Sequence, residues 1–109
     1  MAQSIFDLQA ELCKTMSNAT RLRIVHQLRQ KPSCVGEIAS ATDLAQAKVS
    51  QHLSILRARG IVIAQRKGSE IIYRIANHKI VRVCDLMREV LADQAAERSD
   101  LIEQLASDR

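Results

Sequence analysis

Aromatic side chains are nearly absent from this sequence. Its 109 residues include Phe6 and Tyr73 but no tryptophan, while 47% of them are hydrophobic. A hydrophobic core must therefore be built from aliphatic side chains, chiefly Leu, Ile, Val, Ala and Met. Proline and glycine are also scarce, and neither occurs after Gly68. Because these two residues interrupt helices, the last part of the chain is predicted to form one long helix.

The cysteines do not follow a metal-binding or disulfide pattern. Cys13, Cys34 and Cys84 are odd in number and widely spaced, with no pair separated by two residues. This spacing argues against a disulfide framework and against a zinc ribbon. No cysteine has a neighbouring base that could activate it, so we expect the protein not to be an enzyme.

Long apolar runs are missing as well. No run approaches the roughly 18 residues that a membrane span needs, and the N-terminus lacks a charged segment followed by an apolar one. We therefore expect a cytoplasmic protein with no membrane partner. The length of 109 residues predicts a single domain over 1–109.

Charge is unevenly distributed along the chain, although the net charge is only +4. Between Lys48 and Arg82 there are eight lysines or arginines and a single acid, Glu70. From residue 93 to the end there are five acids and two arginines. A basic middle segment followed by an acidic one predicts a polyanionic partner, held by the middle segment.

The segment 42–59 has the pattern of an amphipathic helix entered through a turn. Apolar residues recur on one face at Ala45, Val49, Leu53 and Leu56, with helical spacing. The opposite face carries amide, hydroxyl and cationic groups: Gln46, Lys48, Ser50, Gln51, Arg57 and Arg59. Such groups hydrogen-bond to base edges and phosphates. The segment is therefore predicted to be the recognition helix of a helix-turn-helix over 33–59.

The flanking segments support this prediction. Ser33 is expected to cap a short supporting helix over 34–40, in which Gly36 would allow another helix to pack closely. Gly60 is expected to end the recognition helix. A β-branched run at 61–63, a turn at Lys67-Gly68-Ser69 and a strand at 70–75 then predict a hairpin. The predicted fold is mainly α with a two-stranded β-wing over 61–75.

Both ends of the chain are predicted to be helical. Ser4 can cap a first helix, which has an unusually wide apolar face. Asn18 can cap a second helix over 19–29. Asn77 can cap a last helix that runs to about residue 105. The last helix is longer than a domain of this size can cover. We therefore expect dimerisation through the first and last helices, in segments 1–17 and 78–106.

Three segments together resemble the ArsR–SmtB family of dimeric winged-helix transcriptional repressors. They read SNATRLRIVHQL, SCVGEIASATDLAQAKVSQHLSILRARGIV and RKGSEIIYRI, and the resemblance extends over about 12–91. It implies a homodimer joined by its first and last helices that binds double-stranded DNA at an inverted-repeat operator. Release from DNA would follow the binding of an inducer. Members of the family sense metals or metalloids, oxidants or reactive sulfur, and some have no known ligand.

The sequence departs from the family pattern at several positions. Ala45 stands where a capping serine is common, so a helix cap is missing. One metal site of the family uses two cysteines separated by one residue, of which only Cys34 is present. A second site uses Asp, two His and Glu on the last helix. The matching positions here are Asn77, Lys79, Val90 and Asp93. We therefore expect no zinc site on the last helix.

Two sets of candidate residues follow. Candidate DNA-binding residues are Gln46, Lys48, Ser50, Gln51, His52, Arg57, Arg66 and Lys67. His52 lies at the edge of the apolar face, so a structural role is an alternative to a phosphate contact. Candidate sensor thiols are Cys13, Cys34 and Cys84, and Cys34 is the best placed for a metal if one binds.

No resident cofactor is expected. The thiols could bind arsenite or another thiophilic ion, or they could react with an oxidant or polysulfide. Equally, they could be small buried apolar residues. A regulator without a small-molecule ligand and a protein-interaction module are alternative functions.

Overall fold

The computed structural model describes residues 2–107, which form five helices and three strands. The elements, in order, are α1 (Ile5–Met16), α2 (Ala19–Leu28), β1 (Ser33–Cys34), α3 (Val35–Thr42), α4 (Gln46–Ala58), β2 (Val62–Lys67), β3 (Glu70–Ile75) and α5 (Lys79–Ser107). The fold is mainly helical with a small antiparallel sheet, which agrees with the class predicted from the sequence.

Polar side chains determine where three of the helices begin. The Ser4 hydroxyl accepts a hydrogen bond from the Asp7 N–H at 3.1 Å, and the Asp7 carboxylate accepts one from the Ser4 N–H at 3.0 Å, forming a capping box. Asn18 Oδ1 accepts from the Arg21 N–H at 3.1 Å at the start of α2. Asn77 Oδ1 accepts from the Lys79 N–H at 3.0 Å before α5. All three caps lie where the sequence predicted them.

The start of α3 differs from the prediction. Ser33 does not cap the helix but is buried in β1, where it pairs with Tyr73 of β3. Cys34 takes the N-cap position, and its N–H donates to the Glu37 carboxylate at 3.1 Å. The residues after Pro32 are extended and are recruited to an exposed strand edge. A two-stranded hairpin is only marginally stable alone, so a third strand stabilises it.

The sheet therefore has three strands in the order β1-β3-β2, not the two that were predicted. The β2–β3 hairpin itself lies where expected. Its register pairs Val62 with Ile75 and Lys67 with Glu70, and the connection is the two-residue turn Gly68-Ser69. Gly68 has a φ of 62°, a left-handed conformation that tight hairpin turns require.

The core lies where α2, α3 and α4 meet the sheet. The α4 residues Val49, Leu53 and Leu56 are completely buried, whereas Ala45, predicted on the same face, is exposed just before the helix. The other core residues are Met16, Ile24, Val25, Leu28, Ile38, Ala39, Ile61, Val62, Tyr73, Ile75, Val81 and Cys84. Tyr73 is the one aromatic among them, so the core is aliphatic as predicted.

The first and last helices expose many apolar side chains. Phe6 is 75% exposed, and α5 contributes only Val81 and Cys84 to the core along its 29 residues. Large exposed apolar residues on these two helices are Ile5, Phe6, Leu8, Leu12, Val83, Leu86, Met87, Val90, Leu91, Leu101, Ile102 and Leu105. We call this set the terminal apolar surface. Within residues 2–107, no helix combines the length and hydrophobicity needed to cross a membrane.

Candidate nucleic-acid interface

Helix α4 has one buried face and one exposed polar face. Burial of Val49, Leu53 and Leu56 fixes the rotation of the helix about its axis. Most of the predicted DNA-binding residues of α4 are consequently exposed, namely Gln46, Lys48, Ser50, Gln51 and Arg57. The helix thus presents amides, a hydroxyl and cations to solvent.

A short turn sets α4 against α3. Asp43 ends α3 in the left-handed conformation, with φ 57° and ψ 37°, and the Leu44 N–H donates to the Ala39 carbonyl at 3.1 Å. Ala45 is extended and offers no side-chain cap to α4. Two helices joined by a three-residue turn, with the second helix exposed, have the geometry of a helix-turn-helix.

The hairpin places a second set of cations at one end of the sheet. Arg66 and Lys67 end β2, are exposed, and stand opposite Ile71 and Glu70 on β3. Arg74 is also exposed on β3. Arg66 and Lys67 therefore lie at the tip of an exposed hairpin, where side chains can reach a nearby surface.

His52 does not belong with the exposed residues. Its imidazole is half-buried, and its Nδ1 accepts a hydrogen bond from Arg21 Nε at 3.3 Å. Burial, followed by the charges of Arg21 and Lys48, lowers the pKa of His52 below its ordinary value. The neutral form of the side chain is therefore favoured, and the ring is turned towards α2.

The three cysteines lie in different environments. Cys13 is exposed on α1, and Cys34 is half-buried at the start of α3. Cys84 of α5 is in the domain core, and burial raises the pKa of its thiol. Among residues 2–107, no group of three Cys, His, Asp or Glu side chains is arranged to hold a metal ion.

The positions that match the family's second metal site lie at the start of α5 and further along it. Asn77 caps α5 through its hydrogen bond to the Lys79 N–H. Val90 and Asp93 are both exposed further along α5. The ammonium group of Lys79 would also repel a cation at this position.

Two sets of side-chain hydrogen bonds between helices were not predicted from the sequence. Arg21 joins α2 to His52 and also donates from Nη1 to the Thr15 carbonyl at 3.0 Å. Arg29 donates two hydrogen bonds to the Asp85 carboxylate, at 2.5 and 2.7 Å, and so ties α2 to α5. These bonds lower the pKa of Asp85. The pairs are 31 and 56 residues apart in the chain, so no local pattern indicates them.

Sequence comparison places this chain among bacterial regulators. The profile of the family described as "Bacterial regulatory protein, arsR family" matches residues 18–64. The uncharacterized HTH-type transcriptional regulator Rv0081 of Mycobacterium tuberculosis is 34% identical over 105 residues, covering 95% of this chain and 92% of the relative. The HTH-type transcriptional repressor SmtB of the same species is 40% identical over 81 residues. That match covers 74% of this chain but 60% of the SmtB repressor.

Solved structures agree with these relatives. The crystal structure of M. tuberculosis Rv0081 superposes with a TM-score of 0.77 at 35% identity, covering 89% of this chain and 98% of the other. The solution structure of a homodimeric winged helix-turn-helix domain from Mycobacterium bovis superposes with a TM-score of 0.69 at 33% identity. This match covers 86% of this chain and 91% of the M. bovis domain. These relatives are regulators rather than enzymes, as expected for this chain. The chain therefore belongs to the ArsR family of bacterial transcriptional regulators.

Proposed function

We propose that the protein is a homodimeric, sequence-specific DNA-binding repressor that acts at an inverted-repeat operator. The observation that carries this proposal is the exposed polar face of α4, fixed in place by the buried face of the same helix and flanked by a basic hairpin. A helix fits the major groove of B-DNA, where base edges present their most distinctive hydrogen-bonding pattern. The middle of the chain supplies the positive charge that such binding needs.

The residues of this interface divide by chemistry. The amides of Gln46 and Gln51 can each donate and accept, which suits a bidentate contact with a base edge. Lys48, Ser50 and Arg57 suit phosphate oxygens, which carry no sequence information but position the helix. Arg66 and Lys67 at the hairpin tip are assigned to the flanking backbone or minor groove. These side chains are exposed and so free to make such contacts.

The terminal apolar surface supports a dimer. Apolar groups along α1 and α5 gain free energy when another surface removes them from water, and a second copy of the chain offers the same groups. The M. bovis domain, which is similar in fold, is homodimeric. A two-fold dimer presents two α4 helices to one side of the duplex, about one helical turn apart, which matches an inverted repeat.

Lys48→Ala and Arg66→Ala test the DNA interface. Each should weaken binding to a duplex fragment from the protein's own promoter and reduce the slope of log K against log salt by about 0.9, the value for one phosphate contact. Binding measured by fluorescence anisotropy at several salt concentrations gives both quantities. The control is Arg98→Ala, which removes an exposed cation from the distal half of α5.

Equal salt slopes for wild type, Lys48→Ala and Arg66→Ala would contradict the assigned contacts. Failure of the wild type to bind the promoter fragment in a salt-dependent manner would instead favour a protein-interaction module.

The inducer is proposed to act at Cys34. This thiol is partly accessible at the start of α3, and α3 packs directly against α4, so a modification there has a short route to the DNA-binding helix. Arsenite, another thiophilic ion, an oxidant or reactive sulfur are the candidate inducers. A coupling of about 1–3 kcal/mol is sufficient to release a repressor.

The test measures promoter binding with and without arsenite, cadmium or a persulfide donor. Wild type and Cys84→Ala should both respond, because burial raises the pKa of the Cys84 thiol and protects it. Cys34→Ser should not respond, while Cys13→Ser tests the exposed thiol of α1. A response retained in Cys34→Ser would remove Cys34 from the mechanism.

A further inference from the structure

Arg21 connects three helices. Its backbone N–H is held by Asn18 at the start of α2, and its side chain is half-buried. Nη1 donates to the carbonyl of Thr15 in the last turn of α1, and Nε donates to Nδ1 of His52 in the middle of α4. One guanidinium group therefore links the end of α1, a helix of the terminal apolar surface, to the DNA-binding helix.

The acceptor on α4 is well placed to control the orientation of that helix. His52 directly follows Ser50 and Gln51 and lies one turn after Lys48, which are residues assigned to DNA. Its neighbour Leu53 is completely buried. A bond to His52 therefore restrains α4 at the boundary between its buried and exposed faces. Small rotations about the helix axis would move the amide of Gln51 and the ammonium of Lys48 relative to a base pair.

We propose that Arg21 is a positioning residue for DNA binding, which acts by holding neutral His52 so that α4 is fixed relative to the end of α1. This inference rests on the proposed function, since it assigns a role in DNA binding. His52 is accordingly not a phosphate contact. It is the acceptor through which the dimerisation helix and the DNA-binding helix are joined.

The link exists only while the imidazole is neutral. A neutral imidazole can accept at Nδ1, but a protonated one has two N–H donors and no acceptor. The charged groups acting on His52 are Arg21 from α2 and Lys48 from α4 itself; within the described residues, α3 and β2 add no charge to it. Protonation would thus place a third positive charge beside two others. Because the pKa of His52 in the folded protein lies below the ordinary histidine value, the bond is intact at and above that ordinary value and is lost only as the pH falls through the lowered pKa.

The sign of the pH dependence separates the two roles of His52. If His52 contacts a phosphate, its protonation should raise the affinity of the protein for DNA, because the side chain gains a positive charge. If His52 accepts a hydrogen bond from Arg21, its protonation should lower that affinity, because α4 loses its restraint. A net hydrogen bond of about 1 kcal/mol corresponds to a change of about fivefold in affinity.

The variant His52→Asn tests the proposal. The Asn Oδ1 can take the place of Nδ1 as acceptor but does not titrate. Affinity of the wild type for the promoter fragment should fall about fivefold as the pH is lowered from about 8 through the lowered pKa of His52, whereas the affinity of His52→Asn should change much less over the same range. His78→Asn, at an exposed histidine, is the control and should behave like the wild type. Tighter wild-type binding at low pH, or the same pH profile in His52→Asn, would overturn the proposal.

A measurement without DNA keeps the inference separate from the proposed function. NMR titration of the free protein should give a pKa for His52 below the ordinary value, and Arg21→Gln should raise it. An ordinary pKa that Arg21→Gln does not change would overturn the link itself. If the wild type fails to bind the promoter fragment at any pH, the proposed function fails and the role of Arg21 in DNA binding fails with it. The titration then still shows whether the contact exists.

Discussion

The backbone conformation requires glycine at position 60 but not at position 36. Gly60 ends α4 with a φ of +77°, and the next N–H, of Ile61, donates to the Leu56 carbonyl at 2.9 Å. This is the hydrogen-bond pattern of a helix that ends in a left-handed residue. Gly36 lies in the first turn of α3, where an added Cβ would meet Gln46 Nε2 at 3.8 Å and Cys34 Sγ at 3.9 Å, which are ordinary contacts. The packing of α3 against α4 therefore does not require the glycine that the sequence analysis singled out at position 36.

Gly60→Ala should lower the free energy of unfolding by about 1 kcal/mol, because a Cβ is strained in the left-handed conformation. Gly36→Ala is the matched control and should leave stability unchanged or raise it by up to about 1 kcal/mol, because alanine favours helix. Urea unfolding followed by circular dichroism measures both. A Gly60→Ala protein as stable as the wild type would show that the end of α4 tolerates another conformation.

At the scale of elements, α4 starts without a side-chain cap. Ala45 already has the extended conformation of a cap residue, with φ −64° and ψ 139°, but it has no oxygen to accept from the first turn. The helix is held instead by the burial of its apolar face. Helices in proteins owe most of their stability to such packing.

Ala45→Ser should raise the free energy of unfolding by about 1 kcal/mol, because the serine hydroxyl can accept from an unpaired N–H of the first turn. Ala47→Ser, an exposed position two residues later inside the helix, should instead lower it by about 0.5 kcal/mol. The same unfolding experiment measures both variants. Equal effects of the two serines would show that no cap forms at position 45.

At the scale of the molecule, the terminal apolar surface occupies two stretches of α5, at 83–91 and 101–105. Leu86 is 59% exposed and Val90 53% exposed in the isolated chain. Leu86→Glu would place a charge in the middle of the proposed apolar dimer interface. The dissociation constant of the dimer should rise by at least about thirtyfold, as for a central interface residue. Ile71→Glu, at an exposed position of the hairpin, is the control for the added charge.

Sedimentation equilibrium over a range of protein concentrations measures the dissociation constant. The apparent Tm should also depend on concentration in the wild type but not in a monomeric variant. An unchanged dissociation constant for Leu86→Glu would exclude the centre of α5 from the interface and would require a different arrangement of the two α4 helices.

Much of the candidate interface could be predicted because it depends on local patterns. The spacing of Val49, Leu53 and Leu56 determines which side of α4 is buried, so the exposed positions of Lys48 and Gln51 follow. In contrast, the spacing that placed His52 at the edge of the buried face did not indicate Arg21 as its partner. A periodic pattern identifies a face, but it does not identify what packs against that face.

The sequence by itself determined the helix caps at Ser4, Asn18 and Asn77 and the two faces of α4. It also determined the end of α4 at Gly60 and the hairpin turn at Gly68. These features arise from interactions between residues a few positions apart, which act in any fold. Tertiary structure alone decided the pairing of Ser33 with Tyr73, the burial of Cys84, and the links from Arg21 to His52 and from Arg29 to Asp85. Those contacts join residues tens of positions apart, and their geometry exists only after the helices have packed.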